Sequence, residues 1–278
     1  MYIEVNDKQV FAGTGGKPFE NSRPVVLFLS GSGLDHSFWD LLAQFFAVRG
    51  YAVLAPDYPG HTNSGGPGIK SIEVMADWLN DVVEVLGADN ISLVGHSQGC
   101  LVSLEFASRY ADRVRSVSFI ASGLATPVNP RLIEAAEKDT DAAIEMMLSW
   151  SFGPAGHTHQ GPIPGYPMVG VGREIMGGNA PDALATDLKA CNAYENGKIA
   201  AAKIVCPHQV ILAGLDRMAP REAGMQLVEH LANPEFHIIE SSGHMLPLEA
   251  PDECRSLLRD FIFDNNPAPE SLEIRETG

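Results

Sequence analysis

Basic residues are scarce in this 278-residue chain: 19 Lys and Arg stand against 35 Asp and Glu, a formal net charge of −16. That deficit excludes the electrostatic footing of a nucleic-acid-binding protein, which depends on neutralising phosphates. Cysteine is rare as well. Cys100, Cys191, Cys206 and Cys254 are far apart and form no C-x-x-C pair, which excludes a disulfide scaffold and leaves free thiols. No apolar run approaches the ~18 residues of a membrane-spanning helix, and Met1 to Asp7 has neither a basic stretch nor a signal-type apolar segment. The expectation is a cytoplasmic protein with no membrane partner.

What the chain does contain is a composition able to fill a large core, with 45% hydrophobic and 19% charged residues. At this length one α/β domain with a sizeable insertion accounts for the whole. Short runs rich in Val, Ile, Leu and Phe, each stopped by Gly, Pro, Ser or Asp, predict strands at Val25 to Ser30, Ala52 to Asp57, Asn90 to Val94, Val114 to Ala121, His208 to Ala213 and Phe236 to Glu240. They are continuously apolar, as strands covered on both faces are. Helical periodicity falls between them, at Ser37 to Arg49, Ile72 to Leu86, Gly99 to Tyr110, Arg221 to Leu231 and Pro251 to Phe263. Alternation of this kind predicts a doubly wound, mostly parallel sheet, preceded by one or two antiparallel strands within Tyr2 to Ala12. Residues 124–201 break the alternation, with a helical pattern and a Gly/Pro-rich stretch, and read as a mainly helical cap inserted between core segments 1–123 and 202–264. Residues 265–278 read as a loose tail.

The sharpest local signal is Gly95-His96-Ser97-Gln98-Gly99, directly after one predicted strand and before a helix. Such a turn strains the serine backbone, so the residues two before and two after must be tiny. Serine needs a base held by a third group. Asp216 follows the strand ending at Ala213, and His244 follows the strand ending at Glu240. The topology therefore brings Ser97, Asp216 and His244 to one sheet edge as candidate catalytic residues. Asp216 also reads as a cap for the helix starting near Pro220, and His244 as a solvated loop histidine.

These motifs, with Glu249-Ala250-Pro251 after the histidine and the turn Asp57-Tyr58-Pro59-Gly60-His61, make the chain resemble the α/β-hydrolase fold superfamily from about Val25 to Phe263. The resemblance implies an α/β-hydrolase fold and an oxyanion hole formed by the backbone N–H groups of Ser32 and Gln98. The family usually carries His-Gly after its first long parallel strand, where this chain has Ser30-Gly31-Ser32-Gly33. It places the acid after the late strand, as at Asp216, or after the strand following the nucleophile helix, where Ile120 to Leu124 offers no carboxylate.

Met147, Trp150 and Met168 of the insertion, with Met245 beside the histidine, suit an adaptable apolar pocket, although helical neighbours of this kind also serve simply to pack a cap on its body. His157-Thr158-His159 has too few ligands for a metal site, and neither a metal nor a cofactor is expected. Cys100, on a helix, reads as packing. The resulting expectation is a serine hydrolase acting on a small neutral or apolar ester, thioester or lactone. A C–C bond hydrolase, an acyltransferase and a noncatalytic ligand receptor are alternatives on the same fold.

Overall fold

A computed structural model describes residues 1–158, 161–163 and 165–268. The chain opens with an antiparallel hairpin, β1 (Tyr2–Val5) and β2 (Lys8–Gly13), and continues into β3 (Val25–Leu29), β4 (Ala52–Pro56), β5 (Ile91–His96), β6 (Val114–Ile120), β7 (His208–Ala213) and β8 (Glu235–Ile239). They form one sheet in the order β1-β2-β4-β3-β5-β6-β7-β8, parallel from β4 to β8. Helices α1 (Asp40–Ala47), α2 (Ile72–Val85) and α3 (Gln98–Arg109) connect the first parallel strands. Between β6 and β7 come α4 (Pro130–Lys138), α5 (Thr140–Ser151), α6 (Pro154–His157), α7 (Met168–Gly177), α8 (Ala183–Ala193) and α9 (Gly197–Ala201). Then follow α10 (Arg221–His230), α11 (Leu246–Glu249) and α12 (Pro251–Asn265).

Every residue of β3, β4, β5 and β7 is buried. Side chains alternate between faces along a strand, so these apolar runs feed two cores at once. Val25, Leu27 and Leu29 pack with α2 and α3 on one face, while Val26 and Phe28 join Trp39, Phe46, Leu258 and Ile262 on the other. Among the described residues no helix is long and apolar enough to cross a membrane.

Two expectations need correcting. The helix predicted from Ser37 begins as a 3-10 turn over His36–Trp39, because Asp35 accepts the Ser37 N–H at 2.9 Å and tightens the entry before α1. The tail predicted to be loose from residue 265 is fixed at its start: α12 runs through Asn265, and Asn266, 6% exposed, donates to the Asn90 carbonyl at 2.7 Å and accepts from the Tyr51 hydroxyl at 3.0 Å. Its remainder, 269–278, lies outside the described residues.

Candidate active site

Ser97 sits between the end of β5 and the start of α3 with φ 53° and ψ −116°, a conformation that a non-glycine residue holds only under constraint. The constraint is steric. A Cβ on Gly95 would lie 2.5 Å from the Gly99 carbonyl oxygen and 2.7 Å from Ser103 Oγ, and a Cβ on Gly99 would run into the Leu29 carbonyl. Strand β3 and helix α3 thus approach closely enough to force the turn. The Ser97 N–H donates to the Ile120 carbonyl at 3.0 Å, anchoring the turn to β6.

His244 follows β8 and is 3% exposed. Its Nδ1 lies 2.8 Å from Asp216 Oδ2, while Asp216 Oδ1 accepts the Met218 and Ala219 N–H groups, each at 2.8 Å. The two readings of Asp216 are therefore compatible: one oxygen organises the turn after β7 and the other meets the imidazole. Burial alone would raise the Asp216 pKa, but the charge and hydrogen bond of His244, with the two amides, hold it below the ordinary aspartate value. With Asp216 ionised, Nδ1 of His244 carries the proton and Nε2 keeps its lone pair.

Several residues that hold this arrangement have no local sequence signal strong enough to assign them. Glu249 Oε2 accepts the N–H groups of Gly153 at 2.8 Å and Gly243 at 3.1 Å, and its Oε1 accepts that of Met245 at 3.2 Å, fastening both sides of His244. The His244 N–H itself donates to the Ser151 carbonyl of α5 at 2.6 Å. His96 Nε2 donates to the His244 carbonyl at 2.8 Å, and burial, followed by repulsion from His244, pushes the His96 pKa down to about 3.

On the opposite wall Ser30 takes the place of the family's usual histidine. Its hydroxyl accepts the Trp39 indole N–H at 3.1 Å and donates to the Asp35 carbonyl at 3.0 Å, so the base of the loop is tied without an imidazole. A Cβ on Gly31 would be 2.9 Å from His96 Nδ1 and 3.1 Å from Ser97 Cβ, so backbone alone fits there. Among the described residues neither the Ser32 nor the Gln98 N–H has a protein acceptor. The Gln98 side chain turns away, donating to Met75 Sδ at 3.1 Å.

A cavity of about 290 Å³ brings these walls together: it is lined by Gly31, Ser32, Ser97, His244, Met147, Trp150 and Met245, with Leu132, Leu188 and Cys191 from the insertion. Ser97 Oγ and His244 share this wall without a direct hydrogen bond among the described residues, a common spacing before a substrate tightens it. Met168 is a correction. It is 2% exposed and does not line the cavity, because α7 packs against α5 and directs it into the core, within reach of Gly161. Cys100 is fully buried, its thiol pushed up to about 12 by burial, as packing requires. His157 packs its ring on Phe152, while His159 lies outside the described residues. Asp35, His36 and Asp57 form a cluster of metal-compatible spacing, but each group already has a protein partner: His36 Nδ1 lies 2.9 and 3.0 Å from the two Asp57 oxygens, and Asp35 accepts from the Ser37 N–H at 2.9 Å and from Thr62 Oγ1 at 2.8 Å.

Comparison with known proteins gives a consistent picture. The chain is 26% identical over 258 residues to Protein ABHD8 of Bos taurus, a match covering 89% of this chain and 58% of that protein, so the chain spans little more than half of that relative's length. It is 27% identical over 253 residues to a pimeloyl-[acyl-carrier protein] methyl ester esterase of Neisseria meningitidis, covering 85% of this chain and 93% of the other. The enol-lactonase from Burkholderia xenovorans LB400 shares the fold with a TM-score of 0.84 at 21% identity, over 94% of this chain and 99% of that one. A model of the alpha/beta hydrolase family matches residues 26–257, which run from β3 into α12 and take in the Ser97 turn, Asp216 and His244. The chain belongs to the alpha/beta hydrolase family.

Proposed function

We propose that this protein is a serine hydrolase that cleaves a carboxylic ester, thioester or lactone through an acyl-enzyme at Ser97. The observation that carries the reading is one cavity lined by a serine on a strained turn, by an imidazole bonded to a buried carboxylate, and by Ser32, whose N–H, like that of Gln98 next to the serine, has no protein acceptor among the described residues. Ser97 Oγ attacks the acyl carbon and its proton passes to His244 Nε2. The oxyanion of the tetrahedral intermediate takes hydrogen bonds from the Ser32 and Gln98 N–H groups. As the intermediate collapses, His244 returns the proton to the departing alkoxide or thiolate. A water molecule, deprotonated by His244, then attacks the acyl carbon, and as the second intermediate collapses His244 returns the proton to Ser97 Oγ and the carboxylic acid is released. Asp216 holds the tautomer and offsets the charge of the transient imidazolium.

Turnover is expected to rise with pH along a limb of unit slope, because one neutral imidazole must accept the Ser97 proton. The groups facing His244 sharpen this expectation: His96 is neutral at all working pH values, with its pKa at about 3, and Asp216 is ionised. Glu249 has its pKa raised by burial above the ordinary glutamate value, against the opposing pull of the Gly243, Gly153 and Met245 amides, and bonds backbone only. A limb of slope two in log kcat/KM would show a second proton in the step and contradict the assignment.

The relatives named for methyl ester and enol-lactone cleavage support an acyl substrate, and the Met147, Trp150 and Met245 walls favour an apolar acyl part. The test is a panel of neutral nitrophenyl esters, thioesters and lactones, each beside a carboxylate-bearing isostere. The net charge of −16 repels an anion on approach, over a screening length of ~10 Å at moderate salt. Arg217, exposed and lining the cavity, opposes that repulsion at contact. Neutral substrates are expected to show the higher kcat/KM at low salt, with a change of less than ~2-fold as salt is raised, while the anionic isosteres gain. Preference for the anionic member at low salt would overturn the neutral-substrate reading. A single stoichiometric burst across the panel would favour a ligand receptor.

A further inference from the structure

The loop that carries the Ser32 N–H is held from two sides by different parts of the chain. On the body side Ser30 ties its base, as described. On the other side the insertion uses both polar groups of Gly33: the Gly33 N–H donates to Asp187 Oδ2 at 2.9 Å, and the Gly33 carbonyl accepts from Asn179 Nδ2 at 2.7 Å. Asn179 is itself fixed, since its Oδ1 accepts the Thr62 N–H at 3.0 Å. One turn along α8 from Asp187, Cys191 Sγ lies 3.5 Å from Ser32 Oγ. Gly33 has φ 71°, and a Cβ there would be 3.0 Å from Leu184 Cδ1, so the loop is pressed against α8 in a conformation suited to glycine.

Asp187 is an expensive residue in this place. It is fully buried, and its Oδ1 has no hydrogen-bond partner. Its Oδ2 also meets His61 Nε2 at 2.9 Å, and the other ring nitrogen of His61 faces the Pro59 carbonyl at 3.3 Å. Both ring nitrogens therefore face acceptors, the environment of a protonated imidazole, which balances the carboxylate beside a site where negative charge develops. An ion pair this deep contributes little net stability over an apolar pair of the same volume, so its placement on Gly33 calls for another explanation.

Resting on the serine hydrolase reading above, we infer that Asp187 and Asn179 are positioning residues: from the insertion they clamp Gly33 and thereby aim the adjoining Ser32 N–H at the oxyanion. The hole is then completed by the insertion and not by the sheet alone. A loop with two glycines in four residues gains from this, because an oxyanion donor acts only when held within a few tenths of an ångström of its place before the charge appears.

The experiment compares D187A, D187N and N179A with wild type on a neutral nitrophenyl ester, with thermal melting to confirm folding, and measures amide hydrogen exchange at Ser32 and Gly33. D187A is expected to lose about 30- to 100-fold in kcat with KM within ~3-fold, since misaimed donors affect the transition state more than the bound ester. N179A is expected to lose about 5- to 10-fold in kcat, through the same split. D187N retains an oxygen that accepts the Gly33 N–H and should recover most of the loss. Exchange at Ser32 and Gly33 should quicken at least ~10-fold in D187A. A folded D187A with kcat within ~3-fold of wild type, a loss confined to KM, or a D187N as impaired as D187A would overturn the clamp. Should D187A fail to fold, N179A decides: a folded N179A with kcat within ~2-fold of wild type, or with its loss confined to KM, would overturn the clamp. Should wild type turn over none of the esters, the hydrolase reading fails first, and unchanged exchange at Ser32 and Gly33 would reject the clamp independently.

Discussion

Ser97→Ala and His244→Ala are each expected to lower kcat on a verified ester by at least ~10³-fold while leaving the thermal unfolding transition within a few degrees of wild type, because nucleophile and base act as one unit and fail together. The fold has little stake in either side chain. The strain of the Ser97 turn comes from Gly95 and Gly99 and from the approach of β3 to α3, and an alanine Cβ takes the same place as that of serine. The His244 loop is held through backbone groups, by Glu249, Ser151 and His96. Steady-state kinetics checks this directly. His244→Ala retaining more than a tenth of wild-type kcat would show that another group removes the Ser97 proton. The S97A/H244A double variant should be no worse than either single one, the mark of a shared step.

The second large effect is on stability. Gly99→Ala places a methyl group against the Leu29 carbonyl, and Leu29 has little freedom to withdraw, because β3 lies between β4 and β5 with Leu29 in register with Gly95. Backbone clashes of this kind cost more than overpacking against a flexible side chain, so a loss of ~3 kcal/mol or more is expected. For a chain of this size that corresponds to a Tm lower by ~6–12 °C. Gly177→Ala is the matched control: a Cβ there meets nothing within 4 Å, near the end of α7, and Tm should hold or rise slightly. A G99A Tm equal to that of G177A, measured by calorimetry, would contradict the steric account of the turn.

How much of this was legible in the sequence depends on whether a residue's partner is near it in the chain or follows from the strand order. Strands β3, β4, β5 and β7 are readable because each is buried on both faces and so largely apolar along its length, and the Ser97 turn because its steric demand falls on two nearby glycines. Asp216 and His244 could be placed since each directly follows a strand, and parallel order puts strand ends on one edge. Asp187 and Asn179 have partners more than a hundred residues away, and nothing in their own neighbourhood names Gly33. A weak signal did exist: Asp187 shares a helical stripe with Leu184, Leu188 and Cys191, and a charge on an apolar stripe is a buried charge in want of a partner. Met168 shows the converse. Its type suits a pocket, but which methionines of the insertion face the cavity is set by how α5 and α7 pack, and periodicity within one helix does not contain that. The prolines and glutamates of the tail point to a loose segment, whereas Asn266 at its start is held by the Asn90 carbonyl and the Tyr51 hydroxyl from distant segments.

The central claim is that Ser97 is activated by His244 in front of two waiting amide donors, and covalent labelling with an organophosphonate tests it most directly. The tetrahedral phosphorus adduct mimics the intermediate, so it forms on a serine that has both a base and an oxyanion hole and not on one that has neither. Intact-protein mass and peptide mapping should find one adduct per chain, on Ser97, absent in S97A and slowed at least ~100-fold in H244A. A well-folded wild-type protein that remains unlabelled, or one labelled elsewhere at the same rate in S97A, would contradict the account.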